Sequence, residues 1–136
     1  MNIKTFADLI AWQRAHHLAM LVFDLTESFP RREVFGITAQ VRRSASSVPA
    51  NIAEGFGRGT TREFLQFLRV ARGSAGETRY FMILSRDRDY LNEAQFHQVN
   101  QLCDSTGQLR NALARSLMRR IATSHVKQGA RNDAER

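Results

Sequence analysis

The sequence predicts an all-α protein that folds as an antiparallel up-and-down four-helix bundle. The chain has 136 residues and only two prolines, and it lacks the alternation of Val, Ile and Thr with polar residues that is typical of strands. Apolar residues instead recur at helical spacing in four segments. Four helices joined by short connections bury their apolar faces most simply in an antiparallel bundle.

Helix-start and helix-stop signals separate the four segments. Thr5 is an N-cap residue for the first, and Pro30 ends it, because the residue before a proline avoids the α region. A glycine-rich run at residues 55–59 ends the second segment, Thr60 or Thr61 precedes the third, and Asn92 caps the fourth. The predicted helices are therefore residues 5–28, 36–54, 61–89 and 92–121.

Apolar stripes support these assignments. On the second segment one stripe spans an arc of about 80° and consists of Ile37, Val41, Ala45, Val48 and Ile52. The fourth segment has a broader apolar face formed by Phe96, Val99, Leu102, Cys103, Thr106, Leu109, Leu113, Leu117 and Ile121. Cys103 lies within that face, so we interpret it as a small buried side chain rather than a nucleophile.

The bundle is expected to occupy residues 1–121 as a single domain. Residues 122–136 are polar, charged and without periodicity. Such a composition is typical of a flexible C-terminal tail.

The first segment carries more apolar surface than one bundle position can bury. Leu18, Leu21, Leu25 and Phe29 form one stripe, and a second group lies on a different side of the helix. A large exposed apolar patch is normally an interaction surface, so we expect a homo-oligomer. The candidate interface residues are Leu9, Trp12, Ala19, Met20 and Phe23.

The chain is basic, and its positive charge is almost entirely arginine. Lys+Arg minus Asp+Glu is 20 − 13 = +7, and Lys4 and Lys127 are the only lysines. Because the guanidinium fork suits phosphate, this bias favours contact with nucleic acid or another polyanion; a GC-rich genome is the alternative explanation. The third segment places Arg62, Arg69, Arg72, Arg79 and Arg86 in one ridge about 36 Å long, which we expect on its outer face.

The second segment carries a ladder of polar side chains beside its apolar stripe. Arg43, Ser47, Asn51 and Glu54 are spaced so that neighbours can hydrogen bond in series. Pro49 lies within this helix, where it removes one amide donor and predicts a kink, with Ser46 or Ser47 satisfying the freed carbonyl of Ala45. We therefore expect a structural polar network of Ser47, Asn51 and Glu54, together with Glu77.

No motif in the sequence points to catalysis, a metal or a cofactor. Glu-x-x-His, Gly-x-Ser-x-Gly, Walker-type and Cys-x-x-Cys motifs do not occur, and the histidines have no partners at metal-ligand spacing. No apolar run is long enough for a membrane span. The single cysteine cannot form an intrachain disulfide, which is typical of the cytoplasm.

Several strings resemble the family of 23S ribosomal RNA intervening-sequence proteins over about residues 6–118. The most specific is Ser47-Val48-Pro49-Ala50-Asn51-Ile52-Ala53-Glu54-Gly55. It is accompanied by Phe29-Pro30 with Glu33, Gln40-Val41-Arg42-Arg43, Phe64-Leu65-Gln66-Phe67-Leu68, Ala71-Arg72-Gly73-Ser74 and Glu77. The resemblance implies a four-helix protomer, a ring-like homopentamer and no enzymatic activity. Its relatives include accessory proteins of diversity-generating retroelements.

Two functional hypotheses follow. In the first, the oligomer is a non-catalytic protein that binds RNA or DNA through phosphates, with affinity that falls steeply as salt rises. In the alternative, it is an adaptor or scaffold that docks to a nucleic-acid enzyme such as a reverse transcriptase. The candidate phosphate-binding residues are Arg42, Arg43, Arg58, Arg62, Arg69, Arg72 and Arg79.

Overall fold

A computed structural model describes residues 2–136 and consists of helices joined by short connections. The four α-helices are α1 (Ile10–Thr26), α2 (Ile37–Gly57), α3 (Thr61–Asp87) and α4 (Glu93–Ala134). Two 3₁₀ turns, Phe6–Asp8 and Arg31–Glu33, precede α1 and α2. No strand occurs within residues 2–136, which confirms the all-α prediction.

The helices form a four-helix bundle in which each helix packs against two others. α2 lies between α1 and α3, and α4 closes the bundle by contacting both α3 and α1. The most extensive contact is between α2 and α3. This order places the α1–α2 seam and the α3–α4 seam on opposite sides of the molecule, a relationship that matters for the surfaces described below.

The core contains the predicted stripes. Val41, Ala45, Val48 and Ile52 of α2 are all buried, and the partly buried Ile37 packs at the edge of the core. Around Val41 lies one apolar cluster with Leu18, Val22, Met82, Val99 and Cys103. Around Ile52 lies a second cluster with Ala15, Val48, Leu68 and Leu117.

Two predicted helix boundaries near the N-terminal half are wrong. Thr5 caps the short 3₁₀ turn rather than α1, and the Asp8 carboxylate accepts the amides of Lys4 and Thr5, both at 2.9 Å. Leu9 is extended, so α1 begins only at Ile10. The second error is the end of α2, which continues past Glu54 to Gly57. The residue with a left-handed backbone that turns the chain after α2 is Gly59, with φ of 89°.

The predicted caps of α3 and α4 are confirmed. The Thr60 hydroxyl accepts the amide of Glu63 at 3.2 Å. Asn92 and Gln95 form a reciprocal capping box at the start of α4. The predicted end of α4 at Ile121 is wrong, because the helix continues to Ala134. All residues beyond Ile121 are exposed, so this extension gains no burial against the bundle, and its flexibility stays a prediction.

Pro49 lies inside α2 and is buried. The predicted role of the neighbouring hydroxyls is wrong. Ser46 donates to the carbonyls of Arg42 and Arg43, at 2.7 and 3.2 Å. Ser47 instead pairs with Ser74 of α3 at 2.9 Å. The serines therefore bond one turn back or across the helix interface, and not to the carbonyl of Ala45.

Candidate nucleic-acid interface

The arginine ridge of α3 is exposed or half-exposed, as expected, and it runs along the edge of α3 that borders α4. Arg62 lies 3.1 Å from Nε2 of His125. Arg79 donates to Asn100 at 2.5 Å and forms an ion pair with Asp104 at 2.7 Å. Since all three partner residues belong to α4, the ridge joins the two helices, and Asp104 neutralises part of its charge.

Three candidate arginines are paired with carboxylates. Arg43 forms an ion pair with Glu77, and Arg58 pairs with Glu54 at 3.1 Å while lying over the ring of Phe67. Arg79 is the third. Exposed ion pairs of this kind contribute little to stability, about 0–1 kcal/mol. They do lower the net positive charge that these positions present to a polyanion.

Arg42 packs α2 against α1. Its Nε donates to the hydroxyl of Thr26 at 2.8 Å, and its guanidinium lies 4.9 Å from the ring centroid of Phe23. A guanidinium over an aromatic face gains a cation–π attraction. Arg42 is half-buried and engaged on both sides, so it serves the packing of the two helices.

Arg69 and Arg72 differ from the other candidates, because neither makes an ion pair or a side-chain hydrogen bond within residues 2–136. Both line a cavity of about 240 Å³ between α3 and α4. Arg110 and Arg115 of α4 line the same cavity from the other side. Its remaining walls are Leu65, Leu68, Asn111, Ala114 and Met118, and none of them is acidic.

Sequence reasoning missed both Arg115, which is exposed, and Arg110. Arg110 is only 9% exposed, and its side chain makes one hydrogen bond within the described residues, to Oδ1 of Asn111 at 2.9 Å. Burial lowers the pKa of this guanidinium, and the nearby charge of Arg72 lowers it further. The signal was its position, since residues 99, 103, 106, 110 and 117 share one buried stripe of α4.

The predicted polar network is divided between two places. Asn51 donates to the carbonyl and the hydroxyl of Ser47, at 2.7 and 2.9 Å, and the Ser47 hydroxyl pairs with Ser74. Glu54 and Glu77 take no part in this chain, because they bind Arg58 and Arg43. A buried pair that we did not predict, Ser44 with Thr78 at 2.9 Å, also joins α2 to α3.

A second surface feature is an apolar groove of about 450 Å³ at the α1–α2 seam. Four of the five predicted interface residues line it, namely Trp12, Ala19, Met20 and Phe23. Met20 is 50% and Phe23 is 40% exposed, whereas Ala19 is mostly buried beneath them. Leu9 does not line the groove and packs against the inner apolar cluster instead. The other groove residues are Phe6, His16, Ser46, Pro49, Ala50 and Ala53.

The described part of the chain shows no group of three His, Cys, Asp or Glu side chains placed to hold a metal ion. None of the helices in residues 2–136 combines the length and apolar character that crossing a bilayer demands.

These features define a basic four-helix-bundle protein with an arginine-lined cavity on one side and an apolar groove on the other. The sequence model described as 23S rRNA-intervening sequence protein matches residues 7–112. The chain belongs to this family.

A solved structure supports the fold. It is the crystal structure of a protein of unknown function from the S23 ribosomal protein family of Bacteroides thetaiotaomicron, with a TM-score of 0.72 and 21% identity. The match covers 78% of this chain and 96% of that one. No curated protein matches the sequence.

Proposed function

We propose that the protein is a non-catalytic, homo-oligomeric bundle that binds RNA or DNA through phosphate contacts. The observation that carries the proposal is the group of arginines in the α3–α4 seam: Arg69, Arg72, Arg110 and Arg115 line one cavity with no acidic residue among them. Guanidinium groups without carboxylate partners attract phosphate oxygens, to which they can donate two parallel hydrogen bonds.

The proposed phosphate-binding set differs from the sequence-based one. Arg69 and Arg72 remain its centre, and Arg110 and Arg115 join them. Arg43, Arg58 and Arg79 would contribute less, because a bound phosphate must compete with Glu77, Glu54 and Asp104. Arg62, next to His125, lies further along the same seam.

The proposal includes self-assembly through the α1–α2 groove, as a ring-like pentamer in keeping with the family resemblance. Half-exposed Met20 and Phe23 support it, because a contiguous apolar patch on a soluble protein is normally covered by a partner. A ring needs two different surfaces on each copy. Phe35, which is 93% exposed and does not line the groove, is our candidate for the second surface.

Assembly would increase the strength of phosphate binding. The α3–α4 seam lies opposite the α1–α2 groove, so covering the groove leaves the arginine cavity of each copy accessible. Repeated weak sites on one assembly act together on a long polyanion and raise its overall affinity.

The test is fluorescence anisotropy with labelled single-stranded and duplex RNA and DNA at about 50 and 200 mM salt. We expect binding at the lower salt, little dependence on base sequence, and at least about a tenfold loss at the higher salt. The double variant Arg69→Gln with Arg72→Gln should weaken binding and reduce the salt slope by about two, one for each lost phosphate contact.

The control is Arg14→Gln, because Arg14 is exposed on α1, away from the arginine cavity. It removes one positive charge, half of what the double variant removes, and should leave the phosphate contacts of the cavity intact. Absence of any binding at the lower salt would overturn the proposal. The adaptor alternative makes a different prediction: a specific protein partner should co-purify with the chain after nuclease treatment.

A further inference from the structure

The arginine cavity has the construction of a ligand site rather than that of a charged surface. Its polar lining residues are Arg69 and Arg72 on α3 and Arg110, Asn111 and Arg115 on α4. All four arginines lie on helices that the bundle core holds in place, so the backbone positions that carry them are set before a ligand arrives. Leu65 and Met118 contribute apolar surface beside them.

Four arginines and no acidic residue in the lining indicate that the ligand is an anion, and Arg110 is the most buried of the four. A charged group removed from water destabilises the fold unless an opposite charge or several hydrogen bonds compensate it. Arg110 is nine-tenths buried and has a single hydrogen bond within residues 2–136, and no carboxylate lines the cavity. An oxyanion in the cavity would add acceptors to the one that Asn111 supplies.

The four positive charges favour a terminal phosphate over one within a strand. A phosphate monoester carries a charge of about −1.5 to −2 at neutral pH and has three free oxygens, which suits four guanidinium groups. An internal phosphodiester has one negative charge and a substituent on each side, so it would engage fewer of the four guanidinium groups than a monoester does. Inorganic phosphate would fill only part of the cavity of about 240 Å³, which leaves the apolar wall for a base.

We propose that this cavity binds the phosphate monoester of a nucleotide, either free or at the phosphorylated end of a nucleic-acid strand, with the base against Leu65 and Met118. The inference deepens the proposed function. The part that concerns the end of a nucleic-acid strand rests on that function. The cavity lies opposite the α1–α2 groove, so an assembly formed through that groove leaves the site open.

The first experiment measures the binding of adenosine monophosphate, inorganic phosphate and adenosine by calorimetry in a chloride buffer. We expect the monophosphate to bind best, inorganic phosphate more weakly, and adenosine not at all. Arg110→Met should weaken monophosphate binding by at least about tenfold, the loss of one charged hydrogen-bonding group. Arg14→Met, which removes an exposed arginine from α1, should leave it unchanged.

The second experiment compares a single-stranded RNA that carries a 5′-phosphate with the same RNA that carries a 5′-hydroxyl. A preference for the phosphorylated strand that disappears in Arg110→Met identifies a strand end as a ligand. If the two strands bind equally while the monophosphate binds and Arg110→Met loses it, the free nucleotide is the ligand. If monophosphate binding and strand preference are both absent, or both survive in Arg110→Met, the inference is wrong.

The outcomes separate this inference from the proposed function. Strands that bind at low salt without a 5′-phosphate preference, combined with no monophosphate binding, would leave the proposed function intact and overturn the cavity site. Monophosphate binding without any strand binding would support the cavity site and overturn the proposed function. Should Arg110→Met fail to fold, Arg72→Met provides the same comparison, because Arg72 is exposed and has no partner within residues 2–136.

Discussion

The arginines of this protein differ in what each guanidinium group contacts. Arg42 is engaged by Thr26 and Phe23 and joins two helices. Arg79 bridges α3 to α4 through Asn100 and Asp104. The arginines of the α3–α4 cavity have no such carboxylate partner among its lining residues. Side-chain environment, and not the number of arginines, therefore separates those that hold the fold from those available to a ligand.

The burial of Arg110 predicts a conflict between stability and binding. Arg110→Met keeps the length of the side chain and removes a buried charge, so we expect the free energy of unfolding to rise by about 1–2 kcal/mol. Urea denaturation in a chloride buffer free of phosphate would measure it. Arg115→Met, at an exposed position of the same cavity, should change stability by less than about 0.5 kcal/mol. A large loss of stability in Arg110→Met would instead assign Arg110 to the packing of α3 and α4.

Sequence reasoning found part of this cavity. Arg69 and Arg72 follow from a charge pattern along one helix, which a sequence displays directly. Arg110 lies within an apolar stripe, where an arginine reads as an interruption. Only the packing of α4 on α3 shows that this position faces the two others. Which charged side chains lie close together depends on contacts between helices, and the projection of one helix does not show those contacts.

Cys103 provides a second prediction for a single residue. Burial raises the pKa of its thiol from 9.0 to about 11, so only about one molecule in a thousand carries the thiolate at pH 8. We expect alkylation by iodoacetamide at pH 8 to be slow in the native protein and fast in urea. Rapid labelling without denaturant would show that the α4 core opens.

The sign of the pH effect follows from the same shift. Between pH 9 and 11 the folded chain holds the thiol proton that the unfolded chain releases. The thiol contribution to stability is therefore fully present below about pH 9 and is lost as the pH rises. Cys103→Ala should reduce that part of the decline.

The interface between α2 and α3 depends on a close approach of the two helices. A Cβ at Gly55 would lie 2.8 Å from Cβ of Phe67 and 2.9 Å from Cδ1 of Phe64. We read this glycine as part of a helix-ending run, but it lies within α2 and its role is to admit the aromatic side chains of α3. Helix propensity predicted that this glycine ends α2, whereas the packing of α2 on α3 requires a residue without a side chain at this position.

We therefore expect Gly55→Ala to destabilise the protein despite the better helix propensity of alanine. Overpacking a filled interface costs about 1–3 kcal/mol, which exceeds the gain of about 1 kcal/mol from replacing a helical glycine. Gly76→Ala is the matched control on α3, since nothing lies within 4 Å of its Cβ position, and it should be stabilising. Thermal unfolding of the two variants checks both signs. A stabilised Gly55→Ala would mean that α2 and α3 can separate at little cost.

Apolar periodicity specified the four helices and their inner faces more accurately than their ends. The stripe of α2 was predicted from spacing alone, because a buried face must repeat with the helix. The end of α4 was not predicted, since residues beyond Ile121 show no apolar pattern and yet continue the helix to Ala134. An exposed helical extension packs against no other element, so its sequence needs no apolar stripe that would reveal the helix.

At the scale of the whole molecule, the two seams give the protomer two different sides. The α1–α2 side is apolar at its groove, and the α3–α4 side carries the arginine cavity. The order of the helices around the bundle keeps these sides apart. The proposed self-association and the proposed phosphate binding can therefore be tested separately, by substitutions on one side at a time.

Met20→Glu tests this separation. Met20 is half-exposed in the groove, so a charge there should prevent a partner from covering it, while the fold tolerates the change. Light scattering with size-exclusion chromatography should show a shift to smaller species. Val70→Glu is the control, because Val70 is similarly exposed, at 52%, on α3 and lies outside the groove; it should keep the assembly. Phe35→Ser should disrupt assembly if Phe35 supplies the second surface of a ring.

The same variant connects assembly to nucleic-acid binding. If repeated sites give the affinity, Met20→Glu should bind long RNA at least about tenfold more weakly, but it should bind adenosine monophosphate as well as the parent protein, because each cavity is complete within one chain. Equal affinity of the dissociated variant for long RNA would show that one protomer suffices. A parent protein that is monomeric at the concentrations of these assays would refute the assembly itself.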